Sequence, residues 1–194
     1  YGALVCVLSR RWPRLAFFIM NGFVSRSDPP QRFGFCGPDG SACSAAARTP
    51  WRRIRDAAEA AYDRSPACRF TSFVGYEWTG APGGFNLHRN ILFRNAAVPD
   101  LPVSYVDEPD ADGLWRRLAA DCRAAIAGCD FLTIPHNSNL DGGLLFPAAD
   151  APGRWRDPEA ARARAANEPL VEILQHKGDS ECRLGPESED EACG

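Results

Sequence analysis

Apolar residues recur at helical spacing in some stretches of this chain and run together in others, and the changes of period mark out its elements. Trp51, Ile54, Ala58, Ala61 and Tyr62 fall on one helical face. Thr49 suits the N-cap of that helix, Pro50 its first position, and Ser65-Pro66 its end. A second helix is capped by Asp110, buries Leu114, Trp115, Leu118, Cys122, Ala125 and Ile126, and closes at Gly128. Asp157-Pro158 opens a third, rich in Ala and Arg. Phe70 to Tyr76 and Leu87 to Phe93 are rich in β-formers and flank the turn Ala81-Pro82-Gly83-Gly84, which predicts an extended hairpin with Glu77 and His88 on its arms. Phe131 to Pro135 is a continuous apolar run, expected of a strand covered on both faces, and Leu170 to Gln175 reads as the last strand.

The resulting order is helix, hairpin, helix, strand, helix, strand. Strands alternating with helices predict an α/β fold with a parallel sheet or barrel. Residues 1–49 stand apart as a poorly placed segment. Positions 1–24 are apolar and arginine-rich without a clean period, and 25–49 form a Pro/Gly/Ser/Ala-rich loop with a turn at Phe35 to Gly40. Residues 50–194 carry the regular elements. The run Leu15 to Met20 is too short to span a bilayer. The split of the opening apolar stretch by Arg10, Arg11 and Arg14 does not suit a signal peptide. A start at Tyr1 and an acidic stretch from Glu187 to Gly194 lead us to expect a piece of a longer protein, cut at both ends.

Composition narrows the function classes. A hydrophobic fraction of 45% suffices for a sizeable core, and a net charge of −3 argues against a general nucleic-acid binder, whose affinity rests on basic surface. The chain has 8 cysteines and no CxxC knuckle. Cys36/Cys43, Cys122/Cys129 and Cys182/Cys193 are each separated by a short loop that a disulfide could close. Disulfides predict an oxidising compartment, periplasmic or extracellular. Scattered buried thiols in a cytoplasmic protein are the alternative.

In parallel α/β folds ligands collect at the C-terminal ends of strands. Gly75-Tyr76-Glu77-Trp78, Ile134-Pro135-His136-Asn137 and Gln175-His176-Lys177-Gly178-Asp179 sit at such ends, and Asn86-Leu87-His88-Arg89-Asn90 returns along the hairpin. Two imidazoles and a carboxylate are a common ligand set for zinc, iron or manganese, which makes Glu77, His88 and His136 candidate metal ligands. Each residue also has a plainer reading: Glu77 as a surface carboxylate, His88 and His136 as hydrogen-bonded histidines, Arg89 and Lys177 as solvated cations, Asn137 and Asn139 as turn residues. Glu172 lies inside an apolar strand, a costly position for a carboxylate unless it is paired or lines a site.

The stretches FTSFVGYEWTGAPGGFNLHRNILFRN, FLTIPHNSNLDGGLLFP and EPLVEILQHKGDSE resemble a bacterial family known as domain-of-unknown-function family 3604, from about Cys36 to the end of the chain. That family in turn resembles the PHP (polymerase and histidinol phosphatase) superfamily of distorted β/α barrels, which bind up to three metals and hydrolyse phosphoesters. The resemblance implies that Gly75-Tyr76-Glu77 is the glycine-x-glutamate motif, His88 the histidine of the return arm, and His136 the histidine after a buried strand, here followed by Asn137 where proline is common. It departs where a His-x-His on a first strand, a later histidine and a closing Asp-x-His are missing.

Together these readings predict a partial PHP-like distorted β/α barrel with a β-hairpin extension. The expected function is metal-dependent hydrolysis of a small phosphorylated or ester substrate, weak in this stretch alone. Arg89 and Asn139 are candidate substrate-binding residues, and Asn137 and Lys177 candidate catalytic ones. One rival reading is an exported, disulfide-stapled binding module presenting Trp78, Phe85 and Trp155. Another is a single-metal oxygenase with two histidines and one carboxylate. Neither oligomeric state nor native metal follows from the sequence.

Overall fold

In the computed structural model the described residues are Val7, 10–27, 29–146, 158–175 and 178–179. The helix expected from Thr49 begins earlier. Helix α1 is Pro13–Arg26, and α2 is Ser41–Ala61 with Pro50 inside it. The stretch before Pro50 is rich in alanine, the best helix former, and this outweighs the one backbone bond that a proline removes. Two local ties hold the start of α2. Asp39 Oδ1 accepts the Ser41 amide at 3.0 Å, and that hydrogen bond is the main cause holding the Asp39 carboxyl below its ordinary range. A disulfide between Cys36 and Cys43 fastens the first turn to the preceding loop. Of the predicted apolar face, Trp51 is buried and Ala58 packs on the core, whereas Ile54 is 46% exposed.

The hairpin forms as expected, with a shifted first arm. Strand β1 is Gly75–Gly80 and β2 is Leu87–Phe93, while Phe70 and Phe73 lie outside the strand and exposed. Helix α3, Ala111–Leu118, is capped by Asp110, whose side chain accepts from the Gly113 amide at 2.8 Å. It runs on as a π-helical turn, Ala119–Ala124. Gly128, at φ 77, ends the segment in a backbone conformation natural to glycine. A second disulfide joins Cys122 to Cys129 across this end. Strand β3, Phe131–Pro135, and helix α4, Pro158–Asn167, follow. The last predicted strand is reduced to β4, Leu174–Gln175, paired with β5, Gly178–Asp179.

The parallel sheet expected from the element order is not found among the described residues, and no barrel is. The main sheet has three strands in the order β1-β2-β3, both pairings antiparallel. The reason lies in the connection from β2 to β3. Residues 94–110 run out along the sheet before α3 returns. Pro99 accepts from Trp51 Nε1, the Val103 amide donates to Tyr76 Oη, and Glu108 O accepts from Trp78 Nε1. On the way back Trp115 Nε1 donates to Thr133 Oγ1, and Gly128 O accepts from Asn95 Nδ2. The chain thus re-enters the sheet at the end it left, with Phe93 opposite Phe131. A helical period reveals α3 but not the outward loop that cancels its crossover. After α4 the sense changes. Thr133 Oγ1 donates to Asn167 O and the Glu172 amide to Pro135 O, so contacts advance in the same direction along both segments.

One sheet face builds the core. Trp78, Ile91, Phe93 and Phe131 point to it and join Trp51, Val74, Leu114, Leu118 and Cys122. Each fully buried large side chain of this kind contributes on the order of 1.5–3 kcal/mol. The other face carries Glu77, His88 and His136.

Candidate metal centre

Side chains alternate across a strand, so register decides which residues meet. Glu77 pairs with Asn90 and Thr79 with His88, so Glu77 and His88 stand diagonally on one face. Arg89 pairs with Pro135, and one step further the His136 amide donates to His88 O at 3.3 Å, setting His136 opposite His88 on that same face. The three side chains converge. His88 Nδ1 lies 3.0 Å and His136 Nε2 2.9 Å from the same oxygen, Glu77 Oε1. Their rings are 5.8 Å apart, at 69° to each other. The imidazoles are largely shielded, at 16% and 13% exposure, while Glu77 is 43% exposed and opens the cluster to solvent.

The donor set fits a divalent cation. One ligand atom from each residue lies within 4.8 Å of the other two. An ion with bonds of about 2.1 Å sets neighbouring ligand atoms roughly 3.0–3.4 Å apart, which small rotamer shifts supply here. His136 Nδ1 faces Ile134 O at 3.4 Å, so with an ion held on Nε2 the ring's proton would sit on Nδ1, towards that carbonyl.

The other predicted residues scatter. Arg89 is on the opposite sheet face, 3% exposed. Its Nε donates to Glu168 Oε1 at 2.5 Å and its Nη1 to Leu87 O at 3.0 Å, and it lies over the Trp78 ring. Burial pushes its pKa down, against the opposing pull of Glu168. Arg164 holds the second oxygen of the same carboxylate at 2.7 Å. The structure therefore does not bring Arg89 to Glu77 and the histidines. Asn137 directly follows His136 in the left-handed region at φ 60, ψ 39. The Asn139 side chain and all of Lys177, His176 and Trp155 lie outside the described residues, as do Cys182 and Cys193. Trp78 is 1% exposed and so cannot present a contact surface, whereas Phe85 is 44% exposed.

Two acidic residues that the sequence did not single out, and one that it did, tie these segments together. Glu168, beside α4, is the buried counter-ion of Arg89 and Arg164. Asp141 is buried in the loop after His136 and accepts the amides of Gly143 and Leu145 at 2.7 and 2.8 Å. Its only sequence signal is the Asp-Gly-Gly turn. That loop is tied to the hairpin turn by the Asn86 amide on Leu140 O, and a Cβ at Gly142 would stand 2.6 Å from the Phe85 ring. Glu172, flagged by its apolar surroundings, accepts the Asn137 amide at 3.2 Å.

Among the described residues no helix is long and apolar enough to cross a membrane. No curated protein and no solved structure matches the chain. A family model described as "Protein of unknown function (DUF3604)" matches residues 16–194, beginning ahead of the stretch whose motifs first suggested it. The chain belongs to the DUF3604 family.

Proposed function

We propose that this chain contributes a divalent-metal site to a metal-dependent hydrolase of the PHP type, acting on a small phosphoester. The observation that carries the reading is the convergence of two imidazole nitrogens on one Glu77 oxygen, on the sheet face turned away from the core. The fit with the glycine-x-glutamate and two histidine motifs of PHP domains supports it. So does the chain returning beside β3 in the parallel sense, the direction in which a β/α barrel grows. A bound divalent ion would supply Lewis-acid chemistry, polarising a phosphoryl oxygen and acidifying water. Glu77, with its exposed carboxylate, provides negative charge and an open side, while His88 and His136 provide neutral donors held by the sheet.

The two disulfides favour a periplasmic or extracellular home. The test of function is hydrolysis of a generic phosphomonoester with added manganese or zinc. His136→Ala should lower turnover by more than the roughly 10–100-fold typical of losing a residue that merely supports a ligand. Turnover unaffected by that change contradicts the reading. Iron-dependent oxygen consumption in its place would favour the two-histidine, one-carboxylate oxygenase.

A further inference from the structure

We infer that Glu172 is a positioning residue that fixes His136 at the metal site by clasping the backbone on both sides of it. The inference rests on the metal reading of Glu77, His88 and His136. The Glu172 amide donates to Pro135 O at 3.1 Å, and its carboxylate Oε2 accepts from the Asn137 amide at 3.2 Å. One residue thus holds the peptide groups that precede and follow His136. The His136 amide is itself bonded to His88 O on the other side, so the histidine is pinned between two neighbouring segments.

The clasp answers a specific local need. Asn137 adopts φ 60, ψ 39, in the left-handed region that asparagine enters more readily than other non-glycine residues, and a partner for its amide helps to hold the turn there. That turn takes the chain off the strand directly after His136, so holding it holds the backbone position from which the imidazole projects. The orientation of Glu172 supports the same role. Its neighbours Leu170, Val171 and Ile173 are 55%, 44% and 69% exposed, whereas the carboxylate is half-buried against the turn. An apolar run that turns its one charged side chain inward is the reverse of ordinary burial, and a charge-assisted bond to the amide after a ligand accounts for it.

The experiment uses the whole chain with zinc alone as probe, and two readouts. Zinc affinity is measured by competition with a chelator, and exchange of the Asn137 amide is followed by NMR without metal. Glu172→Ala should weaken zinc binding by about 10–100-fold and remove the protection of the Asn137 amide. Glu172→Gln, which keeps an acceptor oxygen, should restore most of both. If Glu172→Ala alone does not fold, the same comparison is made in an Asn137→Gly background, where glycine takes the turn without strain. Wild-type zinc binding with an undiminished Glu172→Ala overturns this inference alone, as does a Gln variant as unprotected at Asn137 as the Ala variant. Absence of zinc binding in the wild type overturns the metal reading and this inference with it.

Discussion

Arg89 and Glu77 stand only a strand apart, yet they serve opposite faces of the sheet. Parity separates them: Arg89 pairs with Trp78's position on β1, one step from Glu77, and so turns into the protein. There it shares the Glu168 carboxylate with Arg164, with Arg89 and Glu168 side chains 4% and 2% exposed. A buried pair of this kind is costly to break from one side. Glu168→Ala should destabilise the fold by about 3–5 kcal/mol, because it strands a buried guanidinium. Chemical denaturation measures this, and a change below about 1 kcal/mol, the range of surface pairs, would show that the network carries little. At this scale the sequence was informative about chemical type. Two histidines and a glutamate were legible as candidate ligands, and they do converge. Arg89 directly follows His88 on β2, so strand alternation alone sets it on the face opposite that histidine, whatever the register. Glu172 was legible as an anomaly, while its partner, a backbone amide, has no signature of its own.

Helix α2 extends beyond the limits that its local signals mark, whereas the segment begun by α3 keeps its Asp110 cap and its Gly128 end. Thr49-Pro50 has the form of a helix start, but the alanine-rich turn before it extends the helix to Ser41 and leaves Pro50 inside. Pro50→Ala should restore the missing hydrogen bond to Ala46 and raise stability by about 1–3 kcal/mol. A loss of stability in thermal melts would mean that the helix depends on the proline. The Cys122–Cys129 bridge closes a short loop at the end of the π-helical turn. Replacing both cysteines should cost about 2–3 kcal/mol on chain-entropy grounds, and an unchanged unfolding midpoint would argue against the bridge. Loop 101–107 is tied to the segment before α2 by the Arg32–Asp107 ion pair. Desolvation raises the Asp107 pKa, but hydrogen bonds from Ser104 and the charge of Arg32 outweigh it, so the folded value lies below the ordinary 3.8. Its stabilisation is therefore complete above the unfolded value and lost as pH falls through the folded one. The stability gap between wild type and Asp107→Asn should be constant above about pH 5 and shrink below about pH 4. Denaturation midpoints at both ends of that range check it, and a gap that widens in acid would reverse the sign.

Across the whole molecule, the same physics explains both the expected site and the unexpected sheet. The element order suggested a parallel sheet, because a helix between two strands ordinarily crosses over. Here residues 94–110 travel outward first, held by Trp51, Tyr76 and Trp78, and the helix only brings the chain back. Irregular segments carry no period, so that excursion could not be read from the sequence. The hairpin, by contrast, is local: its turn, its β-formers and its alternation all agree, and Glu77 and His88 lie on its two arms as expected, Glu77 inside β1 rather than at a strand end. His136 reached them because β3 pairs antiparallel with β2 and ends opposite His88. An antiparallel sheet assembles the centre as well as the anticipated parallel one would have. The account rests on these three side chains forming a metal site, and equilibrium dialysis of the chain against manganese or zinc, followed by elemental analysis, tests that most directly. It predicts about one ion retained per chain and its loss in each of Glu77→Ala, His88→Ala and His136→Ala. No retained metal in the wild type, or undiminished metal in the three variants, would contradict it.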